Sequence, residues 1–270
     1  MSANQAVVTR LRAAGCVFAE DEALLLQEAA RTAAELDAMV ERRAAGEPLE
    51  QVVGWAEFCG LRILVDPGVF VPRRRSEFLV QTAASLAGRG QAVIVDLCCG
   101  TGALGLAAAA LLGGADLHAA DIDPVAVACA RRNVEAAGGH AYQGDLFDPL
   151  PAGLRGSVTT LICNAPYVPT AEVGFLPPEA RDHEPHTALD GGPDGLRVLR
   201  RVAAQAPHWL AADGQLLVEA SDRQAPLMAQ AMSAAGLTAA VHSCAESGAT
   251  VVTGSHSSLG TIAASSPLSP

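Results

Sequence analysis

The segment Val93-Ile94-Val95-Asp96-Leu97-Cys98-Cys99-Gly100-Thr101-Gly102-Ala103-Leu104-Gly105 constrains the chain more than any other. Three β-branched residues in succession suit a strand covered on both faces. An acidic residue and a glycine-rich turn follow, then the start of an alanine-rich helix. Glycines let a backbone turn sharply and come close to a ligand. The helix start at Ala103 offers unpaired N–H groups and the positive end of a dipole. A strand, turn and helix of this kind form one unit of an α/β sheet, and the crevice at the turn suits a nucleotide-like cofactor.

The chain beyond residue 91 repeats that unit. Strand 93–97 leads to helix 103–112, and strand 116–121 leads to helix 124–137, with Pro124 in its first turn. A short strand at 140–143, strand 158–163 and a long loop over 164–192 come next. Helix 193–211, strand 214–219, helix 223–236 and strands 238–244 and 249–254 complete the pattern. The alternation predicts a doubly wound, mostly parallel sheet of seven strands, a Rossmann-like α/β fold. The last two strands have no helix between them, which predicts a C-terminal antiparallel hairpin.

The first part of the chain differs. Residues 4–46 read as helical, with Asp21 as a cap and Leu24, Leu25, Ala29, Leu36 and Met39 as the apolar face. Gly46 and Pro48 end that stretch. Residues 51–64 contain Trp55, Phe58 and turn points at Gly54 and Gly60, as a hairpin would. Ser76 reads as the N-cap of a helix reaching Leu86, with Glu77 in its first turn. Residues 255–270 are rich in Ser and Pro and are predicted to be disordered. The expected division is a small helical domain at 1–48, a β-hairpin linker at 49–75, the α/β domain at 76–254 and a disordered tail at 255–270.

Composition removes several classes of function. Half of the 270 residues are apolar and 17% are charged, enough for a proper core. The formal charge of -11 argues against a broad nucleic-acid or anionic-membrane footprint. No apolar run reaches the roughly 18 residues that span a bilayer, and residues 1–15 carry no secretory apolar region. The seven cysteines form no C-x-x-C pair, which points to a reducing, cytoplasmic setting without a zinc ribbon. Asp182-His183-Glu184-Pro185-His186 has metal-ligand residue types, but Pro185 breaks a regular helical spacing of the histidines, and no metal is expected.

Two cofactors compete for the glycine loop. Gly100-Thr101-Gly102-Ala103-Leu104-Gly105 matches the dinucleotide pattern G-x-G-x-x-G, and Asp121 ends the next strand about 20 residues on, where ribose binding requires an acid. Asp96 stands against that reading, because a pyrophosphate disfavours a carboxylate four residues from Gly100. S-adenosylmethionine carries a sulfonium and an ammonium and no phosphate, so D-x-x-x-G-x-G matches it better. Asp121 then accepts both ribose hydroxyls. Asp145, after the third strand, accepts from an adenine amino group while an apolar neighbour packs on the ring. Any one of these aspartates alone is an ordinary cap or loop residue; three at successive strand ends form a ligand pattern.

Strand 158–163 ends in Asn164-Ala165-Pro166-Tyr167, which resembles the N-P-P-Y motif of nitrogen-directed methyltransferases. The wider context resembles the HemK/PrmC family of protein-(glutamine-N5) methyltransferases, which modify peptide-chain release factors. Pro72-Arg73-Arg74-Arg75-Ser76-Glu77 looks like that family's P-R-P-x-T-E segment, and Asp96-Leu97-Cys98-Cys99-Gly100-Thr101-Gly102 like its cofactor loop. Glu184-Pro185-His186-Thr187-Ala188-Leu189 looks like its E-P-x-x-A-L segment, and Leu216-Leu217-Val218-Glu219 like the strand after its long helix. Ala165 stands where the motif has its first proline, and Arg74 where a proline is usual, so the chain reads as a divergent member. The resemblance implies a class I methyltransferase domain over 76–254. It implies a cofactor site of Asp96, Cys98, Gly100, Thr101, Gly102, Asp121, Ile122, Asp145, Leu146 and Asn164. Asn164, Ala165, Pro166 and Tyr167 become the catalytic set, and Asn164, Pro166, Tyr167 and Glu184 the substrate contacts.

The motif suits its chemistry. An amide nitrogen is a poor nucleophile because its lone pair is delocalised into the carbonyl. A site for it must hold both N–H groups and aim the nitrogen at the methyl donor. The side-chain oxygen of Asn164 can accept one N–H and the backbone carbonyl of Ala165 the other; the second role uses main chain alone and survives a proline-to-alanine change. Pro166 stiffens the loop and Tyr167 offers a ring face. Catalysis would rest on positioning and electrostatics. The expected function is methylation of a glutamine side chain in a protein such as a release factor. The alternatives are methylation of a nucleobase or small-molecule amine, and a cofactor-binding module without catalysis.

Overall fold

The computed structural model describes residues 3–256 apart from Arg89. Three helices open the chain, α1 (Ala3–Ala13), α2 (Ala19–Ala29) and α3 (Ala33–Ala44), and they enclose Leu11, Leu26 and Val40. The expected helical stretch is therefore divided, and its cap is not Asp21, which lies inside the first turn of α2. Thr32 starts α3 instead. Its hydroxyl accepts the Glu35 N–H at 3.1 Å, and the Glu35 carboxylate reaches back to the Arg31 N–H at 3.0 Å. This is a capping box shifted by one residue, T-x-x-E in the sequence.

Pro48 begins another helix rather than ending one. Helix α4 (Leu49–Val53) takes up the start of the expected hairpin and stops at Gly54, which has φ +83°. The hairpin proper is β1 (Trp55–Phe58) and β2 (Leu61–Leu64), antiparallel, with Phe58 and Ile63 fully buried. Ser76 has helical dihedrals and makes no capping bond to α5 (Glu77–Leu86); its hydroxyl turns to the site described below.

The main sheet is built from β3 (Ala92–Leu97), α6 (Ala103–Leu111), β4 (Ala115–Asp121), α7 (Pro124–Val134), β5 (His140–Gln143) and β6 (Val158–Cys163). The stretch 164–192, expected to be a loop, holds a 3-10 turn (Thr170–Phe175) and two short helices, α8 (Pro178–His183) and α9 (His186–Leu189). Helix α10 (Arg197–Gln205) begins later and ends earlier than expected, because a glycine-containing turn precedes it and Pro207 cannot continue it. Then follow β7 (Leu210–Glu219), α11 (Ala225–Ala234), β8 (Leu237–Cys244) and β9 (Ala249–His256). Ser255 and His256, assigned by sequence to the tail, pair inside β9. Residues 257–270 of the expected disordered tail lie outside the described residues.

The seven strands run in the order β5-β4-β3-β6-β7-β9-β8, parallel except for β9, which is antiparallel to both of its neighbours. The chain winds outward from β3 through β4 to β5, then returns to β6 on the other side. The reversal opens a crevice at the carboxyl ends of β3 and β6, the usual ligand position in such sheets. Both faces are covered. Leu161, Leu199, Leu216 and the stacked pair Phe147 and Trp209, 5.2 Å apart, fill one side; Leu79, Ala107, Ile162 and Leu217 fill the other.

Candidate active site

A cavity of about 870 Å³ lies over the carboxyl ends of the parallel strands, within the range that holds a cofactor-sized ligand. Its floor is the turn between β3 and α6. Cys98, Gly100 and Gly102 all have positive φ, at +54°, +55° and +76°. At Gly102, which begins α6, a Cβ would sit 2.8 Å from Val134 Cγ1, so the helix start needs glycine for space as well as for φ. The Cys98 thiol is buried against that of Cys163, and both effects push its titration up.

Asp121, at the end of β4, is stitched to the turn. Its Oδ2 accepts the Gly100 N–H at 2.9 Å and its Oδ1 the Asp123 N–H at 3.0 Å. Burial pushes its titration up, while these N–H groups oppose that shift. Each oxygen keeps a lone pair, and the side chain lines the cavity. Ile122, 60% exposed, and Leu146, at φ +52°, lie in the same wall. Asp145 lines it too, but its two oxygens are gripped by Arg201 of α10 at 3.2 and 2.7 Å. Asp96 does not reach the cavity wall. It is fully buried beneath the turn, Oδ2 accepting from the Gly105 N–H at 2.9 Å and Oδ1 having no partner. Burial pushes this carboxyl up to about 8. Its expected contact with the cofactor is replaced by support of the turn from behind.

The donor set of this half fits S-adenosylmethionine. The turn carries no basic side chain, and the side chain that closes over it from the cavity wall is the acid Asp121, which disfavours a phosphate. A carboxylate with free lone pairs stands where a ribose needs one, and an exposed aliphatic side chain lies beside it.

The other half of the cavity is formed by Asn164 to Tyr167. In the β6–β7 pairing Cys163 lies opposite Val218, so Asn164, the first residue beyond β6, sits beside Glu219, the last residue of β7. Asn164 Nδ2 donates to Ser76 Oγ at 3.2 Å and to Glu219 Oε2 at 3.4 Å. The Tyr167 hydroxyl donates to Glu219 Oε1 at 3.1 Å and accepts from Arg75, whose Nε donates to the same Oε1 at 3.0 Å. Burial and the Glu219 charge push the Tyr167 phenol well up. The Tyr167 carbonyl accepts from Gln224 Nε2 at 2.8 Å, which anchors the motif to the start of α11. Among the described residues no donor reaches Asn164 Oδ1 or the Ala165 carbonyl, and both residues line the cavity.

A roof joins the halves. Glu184 Oε1 accepts from the Val71 N–H at 3.1 Å, and Arg73 Nη2 bridges both carboxylate oxygens at 2.6 Å. The Arg73 guanidinium stacks over Phe70 at 4.8 Å. The Glu184 side chain is fully buried and does not line the cavity, so its expected substrate contact becomes a brace between the residue 70–75 segment and the start of α9. Glu219, Arg75 and Ser76 are the site residues that sequence reasoning left out. The available signal was the acid that closes β7, as Asp121 closes β4.

The chain is similar to known methyltransferases. Residues 60–175 match the family described as methyltransferase small domain. The release factor glutamine methyltransferase of Geobacter sulfurreducens is 39% identical over 69% of this chain and 65% of its own length, so the chain matches just under two thirds of that relative. The protein of the same name from Bradyrhizobium diazoefficiens is 33% identical over 87% of each chain. Among solved structures, the ribosomal protein L11 methylase of Lactobacillus delbrueckii subsp. bulgaricus superposes with a TM-score of 0.52 at 18% identity, covering 72% of this chain and 84% of that one. At that identity the likeness is one of fold.

Proposed function

The chain belongs to the release factor glutamine methyltransferase family, and on that premise we propose that it methylates the side-chain amide nitrogen of a glutamine in a peptide-chain release factor. S-adenosylmethionine supplies an electrophilic methyl group on a sulfonium. The protein's own part is to hold that donor over the glycine turn and to present the amide to it. Asp121 accepts the ribose hydroxyls, and Ile122 and Leu146 pack against the adenine. Asp145 accepts the adenine amino group once its grip by Arg201 loosens.

The observation that carries the proposal is the pair of acceptors, Asn164 Oδ1 and the Ala165 carbonyl, which no donor among the described residues reaches and whose residues line the same cavity as Asp121. A primary amide has two N–H donors and needs two acceptors in one plane to fix it. Two acceptors hold the nitrogen without protonating it, and the Tyr167 ring flanks the planar group. The work is orientation plus preorganised dipoles. A release factor as substrate assigns the reaction to the cytoplasm. The test is incubation with methyl-labelled cofactor and a bacterial release factor, followed by peptide mass spectrometry. One methyl group on a single glutamine is expected; label on another residue type, or none, overturns the substrate.

A further inference from the structure

The Asn164 amide has two orientations of nearly the same shape, related by a half turn about its terminal bond. Only one presents Oδ1 to the cavity; the other presents an NH₂ group to the NH₂ group of the substrate, and no hydrogen bond forms. Something must choose between them. We propose that Glu219 and Ser76 are positioning residues that lock Asn164 in the acceptor-forward orientation. The inference rests on the reading of Asn164 as the group that faces the substrate amide.

The choice follows from the chemistry of the neighbours. Glu219 is 3% exposed, and an ionised carboxylate only accepts. Nδ2 can lie 3.4 Å from its Oε2, but Oδ1 at that place would put two lone pairs, one charged, against each other. The Ser76 hydroxyl, in a residue 2% exposed, takes the other Nδ2 hydrogen at 3.2 Å. Both donor hydrogens are thus consumed on the protein side. Glu219 itself is held: Arg75 Nε at 3.0 Å and the Tyr167 hydroxyl at 3.1 Å both donate to Oε1 and leave Oε2 for Asn164. The register places the two together, because Cys163 and Val218 are paired and Asn164 and Glu219 are the next residues along. One buried carboxylate therefore sets Asn164, Tyr167 and Arg75 at once, in a network whose members act as a unit.

The test uses Glu219→Gln and Ser76→Ala in the full chain, with two independent readouts. In the nitrogen–proton spectrum of the protein without substrate, the Asn164 side-chain pair, assigned by its loss in Asn164→Ala, is expected to shift in both variants. An unmoved pair overturns the proposal whatever the substrate proves to be. With the release factor, Glu219→Gln is expected to lower kcat at least about tenfold with KM and cofactor Kd each within about threefold. In an Asn164→Ala background the same change is expected to add little, because Gln keeps one oxygen for the Arg75 and Tyr167 donors and alters only the side that faces Asn164. Independent, multiplying losses overturn it. Ser76→Ala removes one hydroxyl and keeps the question open to measurement should Glu219→Gln melt early. If the wild type methylates no release factor, the substrate reading falls, and the spectral result alone decides the role of Glu219.

Discussion

Asp96 Oδ2 accepts a 2.9 Å hydrogen bond from the Gly105 amide, so the end of β3 holds the first turn of α6 from inside the protein. The other oxygen has no partner, and burial pushes the carboxyl up to about 8. In the unfolded chain it titrates near 4. Between those values the folded protein binds a proton that the unfolded chain has released, so this group costs stability increasingly as pH rises from about 4 to about 8. Asp96→Asn keeps the acceptor for Gly105 and removes the ionisation. Its melting temperature, followed by circular dichroism, is expected to fall less between pH 5 and 8 than that of the wild type. Equal slopes would show that Asp96 is charged in the fold.

Asp121 sets both the turn and the wall. Losing its carboxylate frees the Gly100 N–H and removes the acceptors offered to the ribose. Hydrogen bonds to a charged group contribute about 1.5–3 kcal/mol each. Asp121→Ala is therefore expected to weaken cofactor binding by roughly ten- to a hundredfold in calorimetry. Asp121→Asn should lose less, since one oxygen remains.

What the sequence made legible was local. The strand, the glycines and the helix start of the cofactor turn lie within thirteen consecutive residues, and Asn164 to Tyr167 are contiguous. The pairing of partners far apart in sequence was not legible. Asp145 reads as free until α10 brings Arg201 beside it, 56 residues on. Glu184 reads as a substrate contact until the roof brings Arg73 to it across 111 residues. Asp96 shows the limit of spacing arguments: a residue four before the loop glycine can point under the turn as easily as over it. The helical character of residues 4–46 was legible but the break before α3 was not, because the Thr32 to Glu35 box lies inside a run of helix-forming residues, where an apolar period alone shows no break.

The turn itself can be tested by packing. At Gly102, φ is +76° and an added Cβ would press Val134 Cγ1 at 2.8 Å. Gly102→Ala is expected to cost about 2–4 kcal/mol, from overpacking and from the left-handed backbone together. Val134→Ala should then cost less in the Gly102→Ala background than in the wild type, because it removes the clash but not the dihedral strain. Additive losses in urea unfolding would show that the helix start moves rather than clashes.

The Arg73 and Glu184 pair is asymmetric, and so are its deletions. The Glu184 side chain is fully buried, while that of Arg73 is 33% exposed. Arg73→Ala leaves a carboxylate without its cation and is expected to cost about 3–5 kcal/mol at neutral pH. Glu184→Gln costs less, because the released guanidinium can turn to water. Burial already raises the Glu184 titration, and without Arg73 it must rise further. Protonation then relieves the uncompensated charge, so the defect of Arg73→Ala is expected to shrink as pH falls toward 5. A defect that stays constant with pH would assign the loss to packing over Phe70 instead.

Asn164 is the decisive position for chemistry. Its Nδ2 is committed to Ser76 and Glu219, so substitution changes only what the cavity meets at Oδ1 and how the loop is held. Asn164→Ala removes one of two acceptors for the substrate amide. Losing a single preorganised group of this kind costs about 10²–10³ in rate, which is the fall expected in kcat with cofactor Kd little changed. Asn164→Asp is the sharper variant. It keeps an acceptor but places a second carboxylate where Nδ2 lay 3.4 Å from Glu219 Oε2. Two acids at that distance repel each other, so the pair takes up a shared proton as pH falls. This variant is expected to be as slow as Asn164→Ala at neutral pH and to recover in part at lower pH, where the shared proton restores a donor toward Glu219. Single-turnover assays across pH 5 to 8 separate the cases. An Asn164→Ala enzyme within threefold of wild type would remove Asn164 from the reaction.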